Sequence, residues 1–351
     1  MYILGIWASS RRVALQAVAF GLSVTPFIKA LSWSSSGFGT AYSNPATLPP
    51  AFSQTPQVRF SPANNALALT HGSSPRVTAY SWSSVTGFGT KYTDPVGLPA
   101  TGDGISLEFS PAGTDIAIGT ERTPFLQVYP WSSVSGFGTK YSDPATLPDA
   151  FGIINAIGFI NTAIVISSYT GSRRIIGYPW TTGVGFGTKY ADPSTMPTGE
   201  DRGTKFGSLG TSVIRCNTTG PAVYQDAYPF SAATGFGTRY SNPASALTQN
   251  PGALAFNTAG NVVAFGQNSA LFIYPWSPGY GTKFADPVTA MASSPQATAF
   301  NSLDDAIAVS LFNTPPQVEA YAWNNISGFG TKFAAPSPSF SGNSRAISFT
   351  N

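Results

Sequence analysis

Seven times along the chain a Gly-aromatic-Gly-Thr string recurs, and no other feature so narrows the folds open to it. The first glycines of the copies are Gly37, Gly87, Gly136, Gly185, Gly235, Gly279 and Gly328, spaced by 50, 49, 49, 50, 44 and 49 residues, the sixth copy reading GYGT. Self-similarity at such a period belongs to solenoids, propellers or domain arrays. Within one unit, Ser106 to Pro148, the pieces SLEFSPAG, TDIAIGTE, PFLQVYPWSS and GFGTKYSDPATLP are short, β-branched or aromatic, and bounded by Gly, Pro, Ser or Asp. That is the pattern of strands joined by tight turns, and none of the pieces has a helical period. Four strands per repeat and seven repeats predict an all-β fold, a seven-bladed β-propeller of four-stranded antiparallel blades.

The repeated residues read as packing. In the fourth strand Phe137, Thr139 and Tyr141 alternate with Gly138, Lys140 and Ser142, so one face is expected to be packed and the other wet. Gly136 and Gly138 are expected to let Phe137 insert under a neighbouring blade. The third strand carries a second aromatic pair in most copies, such as Tyr80 with Trp82 and Tyr129 with Trp131. Each buried ring contributes on the order of 2–3 kcal/mol by area, enough for one pair per blade to hold a sheet to the next.

The two ends of the sequence suggest how the ring closes. A first-strand Phe follows each glycine mark by 21 to 23 residues, from Phe60 onward, and counting 21 on from Gly328 reaches Phe349 in RAISFTN. The segment AVAFGLSVTPFIKALSW, 17 to 33, aligns with ALALTHGSSPRVTAYSW, 66 to 82, and so supplies the second and third strands of the first blade. The expectation is one propeller domain over 1–351, with 344–350 as the innermost strand of blade one and 1–12 as an extension without an assigned place. Such a clasp replaces a free edge.

Charge is scarce: Asp, Glu, Lys and Arg make up 9% of the residues, and 18 basic against 15 acidic residues give a net charge of +3. No basic run tracks a phosphate backbone, so nucleic acid is not an expected partner. No apolar run is long enough to span a bilayer as a helix, and no cleaved signal peptide is indicated. One cysteine, Cys216, and one histidine, His71, exclude a disulfide framework and a Cys/His zinc cage. No metal, no cofactor and no catalytic residue are expected. His71 reads as an exposed loop histidine and Cys216 as a small packed residue.

Other repeated polar positions have structural readings. The ring Asn44, Asp94, Asp143, Asp192, Asn242 and Asp286, each before a proline, suits Asx turns better than cation sites. The ring Lys91, Lys140, Lys189, Arg239, Lys283 and Lys332 suits edge protection. Arg59, Glu108 and Lys205 precede the first-strand Phe in blades two, three and five; near the axis they could hold a ligand, and Arg59 with Glu108, in adjacent blades, is read first as a pair. The loops joining strands two and three differ between copies. Arg122, Tyr169, Arg173, Arg174 and Phe312 stand out in them as candidate binding residues on a face otherwise rich in Ser, Thr and Asn.

The pieces FSPAGTDIAIG and LQVYPWSS resemble blades of YVTN-type and WD-repeat-like propellers, without the Trp-Asp and Gly-His dipeptides of true WD repeats. The GFGT-K-Y-[SAT]-[DN]-P repeat is similar to that of propeller proteins encoded by tailed bacteriophages. This resemblance implies a virion-associated or host-surface role and brings no catalytic residues with it. The expected function is therefore a non-enzymatic structural or interaction protein, located in a virion or otherwise extracellular or at a cell surface. Its expected partners are other protein subunits and, secondarily, a glycan. A lectin-like adhesive propeller of a bacterial surface is the alternative. A propeller hydrolase ranks behind both, because the sequence offers few carboxylates or histidines for a central channel.

Overall fold

The computed structural model describes residues 15–51, 57–99, 101–148, 152–169, 174–197, 199–207, 210–217, 224–249, 251–312 and 315–351, without the side chains of 201 and 202. The expected extension 1–12 and candidate residue Arg173 lie outside them. The described chain forms seven antiparallel sheets in a ring, and no α-helix. Blade three is representative: Gly104–Phe109 innermost, then Asp115–Thr120 and Leu126–Ser132, with Gly136–Phe137 outermost. The middle strands are buried along nearly their whole length, because each sheet is covered by its neighbours on both faces.

Ring closure follows the expected clasp. Ser344–Phe349 pairs antiparallel with Gln16–Leu22, with Val18 opposite Phe349, and becomes the innermost strand of blade one. Blade six departs from the pattern. Its outer strand shrinks to a single bridge between Trp276 and Tyr280, because its hairpin Ser-Pro-Gly is shorter than in every other copy, by one residue against blade one and by two against the rest, and places Pro278, which has no N–H, in the turn.

The aromatic packing has a more specific plan than simple alternation. Trp131 is boxed by Phe109 of its own inner strand (5.3 Å), Phe137 of its own outer strand (5.0 Å) and Tyr92 of the preceding blade (5.1 Å), each ring edge-on. Edge-to-face geometry is the favoured one for such pairs. The same box recurs around Trp180, with Tyr141, Phe159 and Phe186. At the closure it is built from both ends of the ring, Trp33 meeting Phe38, Phe333 and Phe349. So the ring that crosses between blades is the strand-four Tyr, and Phe137 stays within its own blade. Strict alternation fails here because a bulge separates the pairs Tyr80↔Lys91 and Trp82↔Phe88.

A second tie runs through the strand-three tyrosines. Tyr80, Tyr129, Tyr178 and Tyr228 are fully buried, and their hydroxyls donate to Thr47, Val96, Thr146 and Thr195 carbonyls in the turn after Asn/Asp-Pro of the preceding blade, at 2.8–3.0 Å. Burial raises the phenol pKa, so these groups remain donors. The carboxylates before proline are paired with the basic ring three residues earlier, as Lys189 with Asp192 at 2.5 Å and likewise Lys91–Asp94, Lys140–Asp143 and Lys283–Asp286. Four members of each polar ring thus form rim ion pairs, which being exposed are worth under about 1 kcal/mol each. In blade seven, where Ala335 replaces the acid, Lys332 turns to Glu319 instead, at 2.7 Å.

Candidate axial site

Seven inner strands surround the axis, and what they carry there decides the chemistry. In five blades the inner strand has a bulge near its start, where one residue stands unpaired between Gly104 and Ser106, Ile154 and Ala156, Asp201 and Gly203, Pro295 and Ala297, and Ser344 and Ala346. A bulge drops a residue from the ladder and re-aims its side chain. Ile105, Asn155, Gln296 and Arg345 are bulge residues, and all four line a cavity of about 530 Å³ on the axis. Its mouth lies on the face of the strand two-to-three loops, where Glu121 and Tyr169 contribute to the lining.

Three residues further along the inner strands, roughly 10 Å deeper at about 3.3 Å per residue, stand the charges. Arg59 Nε lies 3.1 Å from Glu108 Oε2, and Lys205 Nζ bonds to the same oxygen. Arg59 also donates to the Val58 carbonyl at 2.9 Å. The expected Arg59–Glu108 pair is therefore present, and Lys205 joins it from blade five, so one carboxylate bridges two cations from separate blades. Burial alone would raise the Glu108 pKa, but Lys205 and Arg59 outweigh it and hold the carboxyl below its ordinary range. Burial, reinforced by the Arg59 charge and opposed by Glu108, lowers the Lys205 pKa. Gln57 braces the group, its Oε1 accepting from Leu107 N at 3.3 Å and from Arg59 Nη2 at 3.4 Å.

The candidate binding residues fall unevenly. Tyr169 lines the cavity, and its carbonyl accepts a hydrogen bond from Arg174 Nη1. Phe312 is not in the lining but lies under a residue that is, its ring 5.7 Å from the Arg345 guanidinium carbon. Arg122 is exposed, set beside the turn at Gly102 and away from the cavity lining. Sequence reasoning missed Arg345, Gln296 and Asn155. The available signal was their shared position four residues before each inner-strand Phe, but an unpaired residue cannot be recognised before the pairing is known.

His71 differs from expectation. It is 1% exposed, its ring nitrogens bonded to the Ser73 carbonyl at 2.9 Å and Thr78 Oγ1 at 3.0 Å. Burial pushes its pKa down to about 4, against smaller opposing effects of Ser73 and Asp94. Cys216 is buried, as expected. Among the described residues no three His, Cys, Asp or Glu side chains are grouped to hold a metal ion.

No protein-family profile matches the chain, and no curated protein is similar to it in sequence. Solved structures are similar in fold. A Bacteroides fragilis protein taken to be a 6-phosphogluconolactonase superposes with a TM-score of 0.73 at 10% identity, over 97% of this chain and 99% of its own. A Bacteroides uniformis protein of the same description gives 0.68 at 11% identity over 96% and 100%. The periplasmic gluconolactonase of Pseudomonas aeruginosa gives 0.68 at 12% identity over 96% and 99%. At such identities the likeness is one of fold.

These comparisons correct the expectation of a non-enzymatic structural or interaction protein, and the virion location expected with it has no support. Three propellers with this ring, matched over nearly their whole lengths, carry hydrolase descriptions. The expectation rests on the few carboxylates and histidines the sequence offers for a central channel. The charges are few, but Arg59, Glu108 and Lys205 converge on one oxygen at the axis.

Proposed function

We propose that the protein is a hydrolase of lactones, acting in the axial cavity. The observation that carries the proposal is the Arg59–Glu108–Lys205 cluster, whose two cations line a cavity of roughly 530 Å³, a volume that suits a sugar-sized ligand, with Glu108 bonded directly to both. The shared ring of the gluconolactonase-type propellers supports the choice of substrate class.

The residues divide the work as follows. Glu108, ionised across the neutral range, accepts a proton from a water molecule while the water oxygen bonds to the lactone carbonyl carbon. Arg59 and Lys205 hold the resulting oxyanion. The ring C–O bond then breaks, the ring oxygen takes a proton from Lys205, and Glu108 returns its proton to the Lys205 amine, leaving a hydroxy acid. A carboxylate with a depressed pKa is a modest base, so most of the acceleration is asked of the two cations. Each such donor is worth about 2.7–4 kcal/mol in comparable oxyanion sites.

The test is proton release from a panel of aldonolactones. Glu108→Gln and Lys205→Met are each expected to lower kcat by about 10²–10³, with the ring intact by circular dichroism. Activity should form a plateau through neutral pH. It should fall on the acid side only below the ordinary carboxylate range, and on the alkaline side earlier than an ordinary lysine dictates, from the depressed pKa values of Glu108 and Lys205. A panel with no substrate turned over, or a Glu108→Gln protein at wild-type rate, would remove the proposal.

A further inference from the structure

Among the described residues, Arg59, Lys205 and Arg345 are the cations lining the cavity; the first two share Glu108, and Arg345 has no acidic partner. Its Nε is buried without a hydrogen-bond acceptor, and its guanidinium carbon lies over the Phe312 ring, 5.7 Å from the centroid. A ring on one side restrains the guanidinium and leaves its N–H groups for a ligand. Beside it, Gln296 is the bulge residue of the adjacent blade and lines the same cavity, adding an amide donor. A buried donor without an acceptor is destabilising, a cost that a bound anion relieves.

We propose that Arg345 and Gln296 form an anion subsite in the cavity wall, separate from the Glu108 cluster, which takes the carboxylate or phosphate group of an acidic sugar. This deepens the hydrolase reading and rests on it for the substrate class. The subsite sits at the bulge level, above the floor charges by about three inner-strand residues, or roughly 10 Å. That span fits a ligand whose anionic end lies several bonds from the carbon attacked. Bidentate pairing with an Arg fork favours planar carboxylates and phosphates over a simple point charge.

The experiment is calorimetric titration of the full chain with inorganic phosphate, D-glucuronate, whose carboxylate is at the end of the sugar away from C1, and uncharged D-glucose, repeated on Arg345→Met and on Arg345→Lys. Wild type is expected to bind at least one anion. Arg345→Met should weaken that binding by at least tenfold, Arg345→Lys should recover part of it, and the affinity for glucose should be unchanged throughout. The stronger of the two anions identifies the group recognised. Equal anion binding by wild type and Arg345→Met overturns the subsite, as does a wild type that binds neither anion. In lactone turnover the same variant should raise KM for acidic lactones and leave kcat and the KM of uncharged ones unchanged. Arg345-dependent anion binding without turnover of any lactone keeps the subsite and removes the hydrolase reading. Turnover with the same KM for acidic lactones in both proteins removes the subsite and keeps the hydrolase reading.

Discussion

A buried neutral histidine makes stability depend on acid. His71 has a folded pKa of about 4 against an ordinary value near 6.5, so the unfolded chain binds the extra proton first. The folded protein therefore loses stability as pH falls from about 6.5 toward 4, by up to about 3 kcal/mol. Below the folded pKa the loss is complete. Urea denaturation of wild type and His71→Gln across this range should give a difference that grows with acidity and then levels. Parallel curves would mean that His71 titrates normally. The residue scale is also where the sequence was least legible. The loop position of His71 in THGSSP suggested exposure, but the Ser73 carbonyl and Thr78 hydroxyl that enclose it are set by the turn, which composition does not reveal. Arg59, Glu108 and Lys205 were legible as residues near the axis. Lys205 could be joined to Glu108 only once the ring had placed blade five across from blade three.

The first glycine of each repeat offers a comparison within one element type. Gly235 and Gly279 both have positive φ, 80° and 116°, so an alanine at either carries the backbone penalty of that region. They differ in what a Cβ would meet: the Tyr190 Cβ lies 2.7 Å from the Gly235 position, whereas nothing beyond a turn carbonyl at 3.7 Å approaches that of Gly279. Gly235→Ala should thus destabilise by about 1–3 kcal/mol more than Gly279→Ala, read as the difference in urea midpoints. Equal losses would show that the strand-four Tyr does not press on the next blade. This contact was legible as a repeated Gly and a repeated Tyr, because both recur with the blade. The inner-strand bulges were not. Strict alternation puts Arg345 on the side of Phe349, which packs against Trp33, and only the pairing of Ser344 and Ala346 with Leu22 and Gly21 frees it toward the axis.

For the ring as a whole, the seven sheets are held by a recurring aromatic plan, and the joint at blade one depends on 344–349. Removing 344–351 exposes Gln16–Leu22 as an edge and strips Phe349 from Trp33. With Ala346, Ile347 and Phe349 all buried, the loss is at least about 5 kcal/mol, and a fall in Tm of about 10 °C is expected by calorimetry. A truncated protein with unchanged Tm would place the closing strand elsewhere. The seven-fold architecture was legible from the spacing of aromatic residues, since identical blades need identical rings. The same strand that locks the disc also brings Arg345 to the cavity wall. During translation, a nascent polypeptide holds the Gln16–Leu22 strand ready while every intervening blade is made, and its anion hook arrives with the piece that fastens the circle. Half-finished chains are therefore both open and unable to capture an acidic sugar, and competence is gained in one late step.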